Sequence, residues 1–193
     1  MNTLIQQQLL DAIRTAQAPI AAFMLGITGF SDPNSSLVQR AHTITIRAKS
    51  SQKSLTDTNE EINSPNAYHL LINPSLEYIK ANPRKIFEFL NIPIKAAILH
   101  VGDAFSKVKY LNRAPELEFL RHIRNAIAHG NRFNITSELK LPATFASYII
   151  TNSLNGEKLF SDIDGEGYWY DGDALALLDF LESRLLSGDY FNK

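Results

Sequence analysis

Residues 121–130 read Arg-His-Ile-Arg-Asn-Ala-Ile-Ala-His-Gly, placing two guanidiniums, two imidazoles and a carboxamide within ten positions. A guanidinium binds phosphate oxygens through a planar, bidentate edge. An imidazole titrates near neutral pH and can take or give a proton. Arg124, Asn125 and His129, with Arg121 and His122 in support, could therefore clamp a phosphate and move a proton. The same string also makes a routine helix ending. A histidine in the last turn meets the negative end of the helix dipole, and Gly130 accepts the left-handed conformation that closes the helix.

These residues must be positioned by a helix. At about 100° per residue, Phe119, Leu120, Ile123, Ala126 and Ile127 fall within an arc of roughly 120°, an apolar stripe facing a core. Arg124, Arg121, Asn125, His129 and His122 spread across the opposite side. That side lacks the usual Glu and Lys beyond Glu118. Asn125 and His129 are i,i+4 neighbours, near enough to touch. Ala128 sits among the polar residues and leaves a notch where another helix or a nucleotide can approach.

The run Arg124-Asn125-Ala126-Ile127-Ala128-His129 resembles the R-x4-6-H motif of the HEPN superfamily, in the form with a polar residue directly after the arginine, and Gly130 fits the same pattern. The resemblance covers six or seven residues and extends loosely to the surrounding helical pattern. It implies an all-α, HEPN-like bundle and a metal-independent endoribonuclease that acts as a homodimer on RNA. Such enzymes work in toxin–antitoxin or phage-defence systems, so an antitoxin protein becomes a possible partner. By the same resemblance Arg124 and His129 are catalytic, and Asn125 orients them or contacts phosphate. One toxin branch carries a tyrosine two residues beyond the histidine as a target for AMP transfer. Asn131 stands there in this chain, so that control is not expected.

The chemistry itself asks for a dimer. Attack by the 2′-OH needs a base for its proton, an acid for the leaving 5′-oxygen and positive charge for the phosphorane. One histidine cannot hold both protonation states at once. A two-fold pair of helices would supply two histidines and two arginines around one phosphate. A non-catalytic helical module using the same face for dimerisation, or for nucleotide or RNA binding, is the alternative. A near-neutral chain favours the module, because a general ribonuclease gains from a basic groove. The Arg, Asn and His trio favours the enzyme.

The whole chain sets further bounds. Its 193 residues suit a single domain over 1–193, and its 19 basic and 20 acidic side chains give a net charge of −1, with no bulk field to attract nucleic acid. The absence of cysteine excludes disulfides and thiolate zinc sites and fits a reducing cytoplasm. No cofactor, secretory leader or membrane segment is expected.

Helical spacing dominates the order of elements. Leu4, Leu9, Leu10 and Ile13 mark a first helix, which Pro19 kinks or divides. Residues 37–48 suit a helix, although Thr43-Ile44-Thr45-Ile46 alternates like a strand. Residues 50–66 read as a mobile loop. Three helices follow over 74–90, 93–111 and 115–129. A small β-hairpin insertion occupies 142–171, with Asn155-Gly156 as its strongest turn signal. Asp173 is a candidate N-cap for a closing helix through Leu186, in which Leu175, Leu178, Leu181 and Leu185 share a face. The fold class is mainly α, a helical bundle with the hairpin before its last helix.

Three further signals have simpler structural readings. Asp162, Asp164, Glu166 and Asp173 partly match a calcium loop. Departures at the fifth and twelfth positions favour a solvated acidic turn and no metal site. His100 reads as a packed structural histidine. Tyr168-Trp169-Tyr170 could stack bases, but packing onto the bundle explains it more cheaply.

Overall fold

The computed structural model describes residues 2–31, 43–47, 52–55, 61–64, 67–71, 77–78, 81–82, 85–162 and 165–191. The chain divides into two compact units, residues 1–23 with 87–193 and residues 24–86.

Among the described residues, four helices and a short hairpin form most of the fold. Helix α1 spans Asn2–Ser31 and contains Pro19, which neither ends it nor starts another. Leu9, Leu10, Ile13, Ala16 and Ile20 bury one stripe of α1, while Leu4 is exposed. Helix α2 spans Ile86–Lys107 with Pro93 inside it. Pro93 therefore does not start a separate helix, and the non-helical Asn82 breaks the one expected over 74–90. Helix α3 is Pro115–Ala128, opened by a proline at its first position. Helix α4, Asp171–Leu186, closes the fold on Ala174, Leu177, Leu178, Leu181 and Leu185. Polar contacts tie α1 to α4: Arg14 pairs with Glu182 at 2.7 Å, and Gln17 donates to Asp179 at 2.7 Å.

The hairpin before α4 pairs β5 (Thr144–Phe145) with β6 (Tyr148–Ile149). Its turn is Ala146-Ser147, with Ala146 at φ 51°, so Asn155-Gly156 is not the hairpin turn. Asn155 instead follows a short 3-10 turn, and its carboxamide accepts the Ile135 amide at 2.8 Å. Trp169 is fully buried and meets Phe119 of α3 edge-on at 5.5 Å, so Trp169, with Tyr168 packed beside it, joins the core to the site helix, while Tyr170 is exposed. Asp173 lies at the third position of α4, where its carboxylate accepts the Tyr170 amide, and is not the N-cap residue.

The second unit contains β1 (Thr43–Arg47), β2 (Gln52–Leu55), β3 (Glu61–Ser64) and β4 (Ala67–Leu71). β1 pairs antiparallel with β4 and β2 with β3, so one pair is nested inside the other along the chain. Two expectations fail here. Over 43–47 the β-branched alternation outweighs helical spacing, because branched side chains favour extended backbone. Two strands also occupy much of 50–66 in place of a loop. Among the described residues, no helix is long and apolar enough to cross a membrane.

Candidate functional site

Helix α3 buries Phe119, Leu120, Ile123 and Ala126 and leaves Arg124, Asn125 and Arg121 half-exposed, as the helical spacing predicts. It ends at Ala128. Gly130 follows at φ 74° and donates its amide to Ile127, while the Arg132 amide reaches the Ala126 carbonyl at 3.1 Å. These bonds satisfy the last carbonyls of the helix. Asn131, at φ 68°, then pins the outgoing chain: its carboxamide accepts the Phe160 amide at 3.0 Å and donates to the Phe160 carbonyl at 2.9 Å. The capped helix end thereby fixes the segment that carries Asn134.

Arg124 crosses to α2. Its Nε and Nη2 donate to one oxygen of Asp103 at 2.9 and 2.6 Å, and its Nη1 donates to the Asn125 carboxamide at 3.3 Å. Close approach requires Gly102, because a Cβ there would lie 2.6 Å from Cγ of Arg124. The small residue that lets helices approach within the chain is thus Gly102. Ala128 remains exposed.

His129 is exposed, and its Nε2 lies 3.2 Å from Nδ2 of Asn134. With the amide donating, that contact requires an unprotonated Nε2 and places the neutral ring's proton on Nδ1. The expected meeting of Asn125 and His129 takes place only through the backbone, by a 2.9 Å bond from the His129 amide to the Asn125 carbonyl. The reason is local: His129 has left helical geometry, at φ −98° and ψ 35°.

Arg121 and His122 belong to a different cluster behind this face. Glu118, read from the sequence as part of the polar side, is completely buried. Its carboxylate accepts Arg113 Nε at 2.6 Å on one oxygen and Arg121 Nε at 2.9 Å on the other. Burial pushes the Glu118 carboxyl up, but the hydrogen bonds and charges of both arginines outweigh it and hold the group below its ordinary value. Arg121 Nη2 also lies 3.1 Å from His122 Nε2. Burial, with help from the Arg121 charge, lowers His122 to about 4. Neutral at physiological pH, His122 supports Arg121 as an acceptor and does not provide a second cation.

Sequence reasoning missed Gly102, Asp103, Arg113 and Asn134. Glu118 and Arg121 are i,i+3 partners on one helix, so that pair had a visible signal. The other contacts join separate elements and had none. His100, read as packed, is exposed. Asp173 is committed to Tyr148 and Tyr170, Asp162 pairs with Lys158, and Asp164 lies outside the described residues. Among the described residues no three His, Asp or Glu side chains form a metal-ligand group. No protein-family model, curated protein or solved structure matches the chain.

Proposed function

We propose that the protein is a HEPN-type endoribonuclease that cleaves RNA by 2′-OH attack at a composite site between two copies. One observation carries this reading. At the end of α3, a guanidinium held at a fixed crossing and an accessible imidazole are both close to solvent and joined to asparagine side chains. Arg124 would bind the scissile phosphate, and Asn125 would fix the guanidinium plane. His129 from each copy would serve as base or acid.

The Asp103 partner does not prevent this role. An exposed ion pair contributes only about 0–1 kcal/mol, so a phosphate can compete for the guanidinium. Exposed Ala128 offers the approach surface for the second copy, and a role in toxin–antitoxin or defence biology belongs to the same proposal.

The test is to incubate the purified protein with mixed RNA in chelator and analyse the product ends. Ends carrying 2′,3′-cyclic phosphate and 5′-hydroxyl are expected, and their absence would sink the reading. Ala128→Trp should leave the fold intact, give a monomer by sedimentation and remove cleavage. An active monomer would contradict the composite site.

A further inference from the structure

Beside the motif face, α3 and segment 134–141 enclose a cleft of about 280 Å³. Arg113, Arg121, Asn125, Asn134 and Lys140 contribute to its walls, together with one carboxylate, the exposed Glu138. Glu118 takes the Nε of both arginines, and Arg121 Nη2 is shared between Glu118 and His122. Among the described residues, this leaves Arg121 Nη1 and both Nη atoms of Arg113 without a protein acceptor. Among the described residues Lys140 forms no ion pair. Arg113, Arg121 and Lys140 outnumber the carboxylates of Glu118 and Glu138 by one charge, so the cleft keeps a net positive charge and open guanidinium donor edges. Such edges match phosphate oxygens.

Both walls are held in place without consuming those donors. On one side Lys109, Tyr110, Leu111 and Arg113 all have positive φ, between 48° and 58°. Each such residue costs of order 1 kcal/mol and persists only where its surroundings over-determine it. Here the buried Tyr110 donates its hydroxyl to the Gly102 carbonyl at 3.2 Å, and Glu118 holds Arg113. On the other side Asn152 donates to the Ser137 carbonyl at 2.8 Å, and Asn155 accepts the Ile135 amide. Backbone strain of this kind clusters at binding sites.

The cleft also adjoins the motif. Asn125 and Asn134 both line it, and the first accepts from Arg124 while the second contacts His129. We infer that the cleft is a phosphate subsite for a single nucleic-acid strand. Arg113 and Arg121, with Lys140, would grip a phosphodiester adjacent to the one lying against Arg124 and His129. The direction of the strand rests on the proposed ribonuclease; the binding does not need cleavage.

The experiment is fluorescence anisotropy in chelator with a short, single-stranded, all-2′-deoxy oligonucleotide, which keeps the phosphates and lacks the nucleophile. Arg113→Gln should weaken binding about tenfold and lower the salt slope by about one. Lys140→Gln, at an exposed side chain with no role in the fold, should weaken it severalfold. Arg14→Gln, on α1 and outside the cleft, should bind as the unaltered protein does. The subsite is overturned if Arg113→Gln and Lys140→Gln both bind normally, or if an acidic peptide of equal length binds as tightly as the oligonucleotide. Arg113-dependent binding without RNA cleavage would remove the ribonuclease and leave the subsite standing. Cleavage with Arg113-independent binding would remove the subsite alone.

Discussion

Arg121 and Arg124 stand three residues apart on α3, and each points Nε and Nη2 at a single carboxylate oxygen. The two pairs differ in their surroundings. The Glu118 side chain that holds Arg121 is 1% exposed, whereas the Asp103 side chain that holds Arg124 is 53% exposed. A charge withdrawn from water depends on its partners, and removing one leaves an uncompensated group. A charge left in water can change partners at little cost. The two arginine side chains are about equally exposed, at 33% and 32%, so the difference lies in the carboxylates: Arg121 is tied to a buried one, and Arg124 to one that can exchange it for a substrate phosphate.

Three changes grade that contrast. Glu118→Ala should lower stability by about 2–4 kcal/mol in a urea melt, because two guanidiniums lose their shared anchor. A melt unchanged within error would mean the buried cluster is idle.

The second effect depends on pH. His122 is neutral in the fold down to about 4 against an ordinary 6.5, so the unfolded chain binds its proton more tightly. Its contribution is fully present above pH 6.5 and is lost as pH falls toward 4, a difference of roughly 2–3 kcal/mol. His122→Gln should flatten the melting-temperature profile across that window; an unaltered profile would place the titration elsewhere. Smallest of all, Asp103→Asn should change stability by less than about 1 kcal/mol. A larger loss would show that the front pair is structural too.

The same contrast explains what could be read from the residues alone. The stripe Phe119, Leu120, Ile123, Ala126 was legible because helical spacing is a local property, and Gly130 announced the helix end through its own backbone freedom. The depth of Glu118 was not, because Arg113 reaches it from a loop of positive-φ residues that no local pattern predicts. Gly102 beneath Arg124 and Asn134 beside His129 are through-space neighbours, invisible to spacing along one helix. The strands at 43–47, 52–55, 61–64 and 67–71 are short, and their pairing partners lie up to 28 positions away, as Thr43 with Leu71. Local propensity is weak evidence at that range.

The most direct measurement pairs two readouts on Arg124→Ala and His129→Ala: single-turnover RNA cleavage in chelator and thermal melting of the same samples. Each substitution should slow cleavage by about 10²–10⁴-fold, the scale of a lost general acid–base or charge-stabilising group. Melting should shift by no more than about 1 kcal/mol equivalent, because the ion pair of Arg124 is with an exposed carboxylate and His129 is itself exposed. Cleavage at the unaltered rate in either variant would contradict the assignment of this face as the catalytic site.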